Sequence, residues 1–412
     1  MKNVQTLCLL TQKFPFESGE EFLVPELKQL AIEFEKIILI PTSVRDYSFQ
    51  RKVPENVLIQ PIRNPESPFQ VASALVQNFP QFLTLLKEQI SWDGLNFYQL
   101  KYWVYHIPFA LKIRNELEKL LNREENPLFY SYWVDTNAFA ISLLKRKYPK
   151  VKFVVRTHGG DLYNERSPSG RIAFRNTIYQ ETTAIWPISS HGMNYILNNF
   201  SEHKEKVKLS RLGVEDFGMG PISPSEDRYH IVTCSSLIPL KRVELIAQVL
   251  FNSVLPIRWT HFGGENKEFD RILGKLGERP QNLEISFKGK VSNEALMHFY
   301  ATQFVDSLVN LSESEGIPVS MMEAISFGIP VFANRVGGIG ELVVDSTGCL
   351  VEEGQNVDDL VRQFEDWIKS GKTRDPEFRK GVRRFWELNF RAETNLSGFM
   401  QRITAAQEEA LS

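Results

Sequence analysis

The sequence predicts an α/β chain in which a doubly wound fold occurs twice. Short apolar segments alternate with amphipathic segments through most of the 412 residues, which is typical of parallel strands covered by helices. The chain is too long for one ordinary domain. A stretch rich in glycine, proline, serine and acidic residues interrupts the alternation at 218–227. We therefore predict two domains of similar size, joined by a linker at 218–227.

The first domain is predicted to span residues 1–217. Its apolar runs predict strands at 4–11, 36–41, 128–133, 152–158, 184–189 and 207–214. Helical periodicity is found at 20–34, 97–121, 136–148, 170–182 and 191–199. Residues 43–121 depart from the βα alternation, so we interpret them as a helical insertion.

The second domain is predicted to span residues 228–385. Strands are predicted at 229–237, 257–264, 283–290, 304–312, 330–336 and 348–353. Helices are predicted at 243–252, 267–276, 292–302, 318–327 and 357–369. The stretch 375–408 is helical throughout in its pattern, and its last part, 386–412, is expected to pack back on the first domain.

The insertion at 43–121 is rich in aromatic residues with scattered lysine and arginine. The favoured interpretation is that these aromatic side chains pack on the first domain. The alternative is a surface that contacts a membrane or a lipid-linked molecule, which the aromatic and mildly basic segment 92–114 suggests.

Composition limits the cellular context and the partners. The formal net charge is −2, which gives no general attraction to nucleic acid. Three scattered cysteines, Cys8, Cys234 and Cys349, predict free thiols in strands and a reducing cytosol. The N-terminal apolar stretch is too short for a signal peptide, and no apolar run reaches the roughly 20 residues of a membrane span. We expect a cytoplasmic protein, with peripheral contact at the inner face of the cell membrane as the accompanying hypothesis.

Residues 312–343 carry the strongest chemical signal. Glu315 lies in a loop after a predicted strand, Pro318 suits the first position of a helix, and Glu323 follows eight residues after Glu315. Free backbone amides at this helix N-terminus form an anion site; they belong to Gly316, Ile317, Val319 and Ser320. Carboxylates beside such a site suit a polyhydroxylated, anionic ligand. The alternative is that Glu315 caps the helix and Glu323 is a solvated helix residue.

This segment resembles the E-x7-E region of the fourth family of glycosyltransferases, which are retaining enzymes of the GT-B fold. That resemblance implies two Rossmann-like domains facing a cleft. It also implies that Glu315 contacts hydroxyls of the transferred sugar, which makes it a catalytic candidate, and that Glu323 holds the nucleotide ribose. Apart from 43–121, the resemblance extends over nearly the whole chain and is of the bacterial polysaccharide-biosynthesis type.

The segment 234–243, CSSLIPLKRV, resembles the family's diphosphate-binding region. Lys241 stands at the position of a family lysine, but Ser236 stands where the family has arginine, and Arg242 stands where it commonly has glycine. We assign Ser236, Lys241 and Arg242 to donor binding, with Lys241 also catalytic. The alternative is two solvated cations at the start of a helix, although cations there oppose the helix dipole and need a partner.

Three further donor-side residues follow from the resemblance. HFGGENKEF at 261–269 resembles the glycine-rich turn near the nucleotide, which implicates Gly263. FKGKVSNEAL at 287–296 resembles the lining of the base pocket, which implicates Gly289 and Val291.

In the first domain, RTHGGDLY resembles a segment whose histidine contacts the donor sugar, which implies a catalytic role for His158. A lone histidine at a strand end is otherwise most often structural. Asp161 in the same segment and Gly19 in the loop after the first strand are assigned to the acceptor side.

The predicted function is transfer of a sugar from a nucleotide sugar to a saccharide or lipid-linked acceptor with retention of configuration. No D-x-D sequence and no paired histidine spacing occurs, so we predict no metal site and no cofactor, the nucleotide sugar being a substrate. Lys241, Arg242 and the helix amides are then expected to stabilise the departing diphosphate. Two alternatives stay open: a sugar-nucleotide epimerase, and a non-catalytic partner subunit that binds sugar nucleotides.

Overall fold

The computed structural model describes residues 6–17, 19–64, 67–224 and 226–408. They form two compact units. The first contains the described residues up to Arg211 together with those from Leu396 onward, and the second is Leu212–Asn395. Each unit is built on a six-stranded sheet, and every strand pair is parallel. The predicted doubly wound α/β architecture is confirmed.

The sheet of the first unit has the order β3-β2-β1-β4-β5-β6. Its strands are β1 Thr6–Thr11, β2 Lys36–Pro41, β3 Val57–Ile59, β4 Leu128–Ser131, β5 Lys152–Thr157 and β6 Ala184–Pro187. Its helices are α1 Leu23–Glu33, α2 Pro68–Gln77, α3 Phe79–Asp93, α4 Phe97–Leu121, α5 Thr136–Lys147, α6 Arg175–Glu181 and α7 Ser190–Asn199. The strand order reverses between β1 and β4, the point at which open sheets of this kind bind ligands.

The sheet of the second unit has the order β12-β11-β10-β7-β8-β9. Its strands are β7 Tyr229–Cys234, β8 Ile257–Phe262, β9 Leu283–Gly289, β10 Ser307–Asn310, β11 Val331–Asn334 and β12 Gly348–Val351. The helices are α8 Val243–Asn252, α9 Asn266–Leu273, α10 Asn293–Thr302, α11 Val319–Ser326, α12 Val357–Lys369 and α13 Pro376–Asn389, followed by α14 Ala392–Glu408. Here the order reverses between β7 and β10, which places the loops after these two strands side by side.

The insertion at 43–121 supplies side chains both to the hydrophobic core of the first unit and to its surface. Trp103, Ile107 and Phe109 on α4 are almost completely buried in the hydrophobic core of the first unit, as the packing interpretation predicts. Phe69 and Phe97, by contrast, are 81% and 76% exposed. The insertion also contains the edge strand β3, which was not predicted because its apolar run is only three residues long.

Two predicted elements of the first domain are wrong in extent. Residues 207–214 form isolated bridges rather than a strand. The Lys208 and Ser210 amides donate to carbonyls of β6, whereas the carbonyl and hydroxyl of Ser210 bind the Arg156 guanidinium. The helix predicted at 170–182 begins only at Arg175, since Phe174 adopts a left-handed conformation with φ +65°, which is incompatible with an α-helix.

The C-terminal stretch is two helices rather than one. The chain leaves the helical path between α13 and α14, where the Val214 amide donates to the Phe390 carbonyl and the Ala392 amide donates to the Val214 carbonyl. Further along α14, the Phe399 ring lies 4.8 Å from the Trp186 ring of the first unit. The described residues of the predicted linker, 218–224 and 226–227, are irregular, and the Gly220 amide donates to the Phe327 carbonyl of the second unit.

The three cysteines lie in β1, β7 and β12 and are free, as predicted. Over the described part of the chain, no helix combines the length and the hydropathy that crossing a membrane requires.

Candidate functional site

The donor-side candidates of the second unit gather where its strand order reverses. The loop after β7 carries Ser236 and Lys241, and the loop after β10 carries Glu315. The Glu313 amide donates to the Leu240 carbonyl at 2.8 Å, which ties these two loops together. Lys241 and Glu315, which are 74 residues apart in the sequence, thus belong to one site at the carboxyl edge of the sheet.

Lys241 and Glu315 form an ion pair at the centre of this site. The Lys241 Nζ lies 2.6 Å from a carboxylate oxygen of Glu315, and Glu315 is 7% exposed. Within the described part of the chain, no side chain caps α11, whose N-cap position is Pro318. Glu315 is therefore held by a lysine rather than by the helix amides, and the capping interpretation is wrong.

The N-terminus of α11 offers unused donors beside this pair. The first amides that return a hydrogen bond within the helix are those of Met321 and Met322, both to the Pro318 carbonyl. Within the described residues, no acceptor is found for four amides; they belong to Gly316, Ile317, Val319 and Ser320. These donors, with the partial positive charge of the helix end, suit an anionic group.

A glycine pair that was not predicted as part of the site supports the Glu315 loop. The Gly338 amide donates to the Gly316 carbonyl at 2.9 Å. A Cβ on Gly337, where φ is +53°, would lie 1.8 Å from the Glu315 carbonyl oxygen. Only glycine fits at this approach, so the two consecutive glycines after β11 were the available signal.

Glu323 is buried rather than solvated, so the surface-residue interpretation is wrong. The residue is 8% exposed, and its carboxylate accepts a hydrogen bond from the side-chain Nδ2 of Asn293 at 2.6 Å. Burial raises the pKa of Glu323 to about 7, and the Asn293 hydrogen bond opposes this rise. Asn293 was missed, since an asparagine near the start of a helix is usually only a cap.

The buried Glu323 carboxyl should make stability depend on pH. Because its folded-state pKa of about 7 lies above the unfolded value of about 4.3, the stabilisation is complete below about pH 4 and is lost as pH rises through 7. We expect its contribution to the free energy of unfolding to fall by about 1 kcal/mol between about pH 6 and about pH 8. Thermal melting of the parent chain and of Glu323→Gln at both pH values measures this difference.

The matched control is Glu313→Gln, because Glu313 has a side chain that is 57% exposed and should leave the pH dependence unchanged. Asp161 contributes equally to the parent and the variants, so it cancels in the comparison. An identical pH dependence in the parent and in Glu323→Gln would contradict the prediction.

The glycine-rich turns after β8 and β9 meet the loop after β7. The Gly263 amide donates to the Gly289 carbonyl at 2.7 Å. A Cβ on Gly263, where φ is +105°, would lie 2.1 Å from the Ser235 carbonyl oxygen. Ser236 is exposed in the adjoining turn, and Val291, just beyond Gly289, is 40% exposed. The structure thus brings these predicted residues to one edge.

Arg242 lies near carboxylates other than that of Glu315. Its guanidinium lies 3.4 Å from the Glu353 carboxylate and 4.0 Å from that of Glu313. The residue adopts a left-handed conformation with φ +46°, which favours glycine. The backbone geometry therefore explains why glycine suits this position, and the structure does not group Arg242 with Lys241 and Glu315.

In the first unit, His158 follows β5 and is held neutral. Its Nε2 lies 3.1 Å from the Tyr132 carbonyl oxygen, so Nε2 carries the proton and Nδ1 is an acceptor. Burial and the nearby Arg156 charge hold the pKa of His158 well below its usual value. The ring lies 4.4 Å from the partly exposed Trp133 ring and 5.3 Å from that of Phe22. The side chain can hydrogen-bond but does not supply charge.

Asp161 connects two loops of this sheet edge. One carboxylate oxygen accepts from the His158 amide at 2.6 Å, and the other accepts from the Val134 amide at 2.7 Å. Burial raises the pKa of Asp161 to about 7, which these two hydrogen bonds oppose. Both oxygens are thus used within the protein, and the observed role of Asp161 is to position the loops after β4 and β5.

Glu20 was missed by sequence reasoning and organises the loop after β1. Its buried carboxylate accepts from the amides of Gln12, Lys13 and Phe14 at 3.1, 2.7 and 2.8 Å. It also accepts from the Trp133 indole nitrogen at 2.6 Å. The neighbouring Gly19 has φ +120°, which requires glycine. Glu20 therefore fixes both this loop and the Trp133 ring beside His158.

Comparison with known proteins shows which class of protein the chain resembles. Residues 220–381, most of the second unit, match the family model described as "Glycosyl transferases group 1". The chain is 26% identical over 263 residues to the O-antigen biosynthesis glycosyltransferase WbnH of Escherichia coli, covering 61% of this chain and 72% of that protein. It is 23% identical over 266 residues to N-acetyl-alpha-D-glucosaminyl L-malate synthase of Bacillus anthracis, covering 60% of this chain and 67% of that protein.

Solved structures extend the likeness of fold to nearly the whole chain. HepE of Anabaena, in complex with UDP-glucose, superposes with a TM-score of 0.65 at 13% identity and covers 97% of this chain and 99% of that one. Sucrose-phosphate synthase of Thermosynechococcus elongatus superposes with a TM-score of 0.70 at 15% identity and covers 99% and 100%. The fold is therefore GT-B. With the group 1 domain in its second unit, the chain is a glycosyltransferase.

Proposed function

We propose that this glycosyltransferase moves a sugar from a nucleotide-sugar donor to a saccharide or lipid-linked saccharide with retention of anomeric configuration. The observation that carries the proposal is the Lys241–Glu315 pair, 2.6 Å apart, beside the open amides of α11. A cation and helix amides suit a diphosphate, and a carboxylate suits sugar hydroxyls. The named relatives in O-antigen and malate-glycoside synthesis support this chemistry and favour neither alternative function.

Each part of the donor has a proposed partner in the second unit. Lys241 and the backbone amides of Gly316, Ile317, Val319 and Ser320 bind the diphosphate, and Glu323 accepts from the ribose hydroxyls. The turns at Gly263 and Gly289, with Val291, border the base. HepE, a structural neighbour, has been solved with UDP and with UDP-glucose, so UDP-sugars are the first donors to test. In a thermal-shift screen, a donor at about 100 times its Kd adds about 2.7 kcal/mol of stability.

The chemistry proposed is attack on the face from which the diphosphate departs. The acceptor oxygen forms a bond to the anomeric carbon as the bond from that carbon to the diphosphate oxygen breaks. The acceptor hydroxyl proton passes to the departing diphosphate, whose growing negative charge Lys241 and the helix amides stabilise. Glu315 orients the sugar hydroxyls. The roles of His158 as a hydrogen-bond partner of the sugar, and of Gly19 and Asp161 near the acceptor, stay predictions.

We propose that this reaction needs no divalent metal, since Lys241 and the helix amides supply the positive potential that a metal ion supplies elsewhere. Diphosphate release is expected to be unchanged by a chelator. Loss of activity on chelation that magnesium or manganese restores would rule this out. We also propose that the enzyme works in the cytoplasm.

The two glutamates are expected to differ in what their replacement affects. Glu323→Gln should weaken nucleotide affinity, because the ribose contact exists in both the ground state and the transition state. Glu315→Gln should lower turnover more than donor affinity, because sugar orientation matters most during transfer. Calorimetric titration with nucleoside diphosphate, beside steady-state turnover, separates the two effects, with Glu313→Gln as the matched control. Equal losses of diphosphate affinity in Glu315→Gln and Glu323→Gln would refute the assigned roles.

A further inference from the structure

An apolar groove lies between α2 and α4 of the first unit, apart from the residues described above. It has a volume of about 650 Å³, within the range of sites for small organic ligands. Val71, Ala72 and Leu75 form one wall, on α2, and Tyr98, Tyr102 and Tyr105 lie along the facing wall, on α4. Among the residues that the structure describes, no acidic side chain lines it. The groove thus suits an uncharged chain.

The floor of the groove carries no charge. The His106 ring stacks on the Tyr102 ring with centroids 3.8 Å apart, and its Nδ1 lies 2.7 Å from the Thr136 hydroxyl oxygen. Burial lowers the pKa of His106 to about 4, so the ring is neutral at physiological pH. The imidazole therefore behaves as part of an aromatic surface.

The stretch of chain that includes α2, α3 and the start of α4 exposes many large apolar side chains. Of the eighteen large apolar side chains exposed among the described residues, eight fall within 69–98; they are Phe69, Val76, Phe79, Leu83, Trp92, Leu95, Phe97 and Tyr98. Concentrated exposed apolar residues mark binding surfaces, and tryptophan and tyrosine with a nearby cation are typical of contact with a lipid interface.

The charge at the groove favours an anionic partner. Lys101 lines the groove, is exposed and has no ion pair within the described residues. The acidic residues of α3 and α4 are instead neutralised by bases; these pairs are Glu88–Arg146, Asp93–Arg171, Glu116–Lys119 and Glu118–Lys147. An apolar chain next to an unneutralised lysine matches a lipid whose headgroup is negatively charged.

We propose that this groove takes up an acyl chain of an anionic phospholipid, so that the first unit docks on a membrane surface through α2 and α4, with Lys101 at the headgroup. Docking by several exposed apolar side chains and one bound lipid chain gives reversible attachment, unlike the permanent insertion of a membrane-spanning helix. Lipid binding is measured without sugar transfer, so the proposal is tested separately from the catalytic one.

The experiment is co-sedimentation of the full chain with vesicles of phosphatidylcholine alone and of phosphatidylcholine with phosphatidylglycerol. The parent chain is expected to sediment with the anionic vesicles and less with the neutral ones. Ala72→Trp fills the groove and should weaken vesicle binding about tenfold, because acyl methylenes are excluded. Lys101→Glu should reduce binding to the anionic vesicles only. Phosphatidylglycerol carrying a photoreactive acyl chain should label peptides of α2 or α4.

Matched controls are Ala301→Trp and Lys267→Glu, both at exposed helix positions of the second unit, which should bind as the parent does. Melting temperatures check that every variant folds. The proposal is overturned if the parent stays in the supernatant with both vesicles, or if Ala72→Trp binds like the parent. It is equally overturned if Ala72→Trp instead disperses a dimer seen by sedimentation equilibrium, which would assign the groove to a second copy of the chain.

Discussion

Replacing Lys241 with alanine is expected to lower turnover about 10²- to 10³-fold, the usual cost of removing one preorganised group that stabilises developing charge. The variant loses the cation proposed for the departing diphosphate. It also leaves the buried Glu315 carboxylate without the partner now 2.6 Å away, which disturbs the residue proposed to orient the sugar. Steady-state release of nucleoside diphosphate measures the effect.

Two comparisons make this result specific. Lys275→Ala removes an exposed lysine that pairs with Glu244 at 2.8 Å and should leave turnover unchanged. Arg242→Gly tests the second proposed cation without backbone strain, because glycine favours the observed φ of +46°. Its pairs with Glu313 and Glu353 are exposed and weak, so the guanidinium can turn toward a bound diphosphate.

For Arg242→Gly we expect turnover to fall about tenfold, and Ser236→Arg in that background to recover part of the loss. Unchanged turnover in Arg242→Gly beside a large loss in Lys241→Ala would show Arg242 to be a surface residue only. Parental turnover in Lys241→Ala would refute the assignment of the donor site.

Replacing Arg156 with leucine is expected to destabilise the first unit by about 3–5 kcal/mol, the usual cost of leaving a buried charge without its partner. The Arg156 guanidinium is fully buried, forms an ion pair with Glu26 and donates to the Ser210 carbonyl at 2.8 Å. It also lies 4.6 Å from the Phe399 ring of α14. One side chain thus joins α1, β5, the 207–214 segment and α14.

Hydrogen exchange followed by mass spectrometry localises this loss, which should appear in the first unit and leave the second unit's sheet protected. The double variant Glu26→Leu with Arg156→Leu should recover much of the stability, because an apolar pair can replace a buried ion pair at little cost. Lys119→Ala, which removes a surface pair with Glu116, should change stability by less than about 1 kcal/mol. If Arg156→Leu behaves like Lys119→Ala, the pair is not a structural centre.

The apolar pattern of the sequence predicts the positions of most strands and helices, because a buried parallel strand is a continuous apolar run. The strand Lys36–Pro41 and the helices Phe97–Leu121, Val243–Asn252 and Val357–Lys369 have the predicted bounds. The pattern failed where a tertiary contact decided the conformation. At 207–214 the Ser210 carbonyl binds the Arg156 guanidinium, and the helix predicted at 170–182 begins only at Arg175 because Phe174 is left-handed.

Glu20 and Asn293, which position other side chains, were not predicted because their partners are distant in the sequence. Glu20 and Trp133 are 113 positions apart, and Asn293 and Glu323 are 30 apart. Nothing local distinguishes Glu20 from the adjacent Glu21, or Asn293 from an ordinary residue near a helix start. Glu20 has its role because it is itself buried, and Asn293 because it lies beside the buried Glu323. Which side chains are buried depends on the loops that the fold brings together.

The sequence alone predicts the two doubly wound domains, the helix that begins after Pro318, and the chemical types of the candidate residues. These follow from local patterns, because periodicity assigns a residue to a strand end or a helix face. The packing of the folded chain determines that Lys241 pairs with Glu315, that Glu323 is buried and that Arg242 lies near Glu353. Those outcomes depend on the strand order β12-β11-β10-β7-β8-β9, which makes neighbours of loops far apart in the chain and so sets the surroundings of each charge.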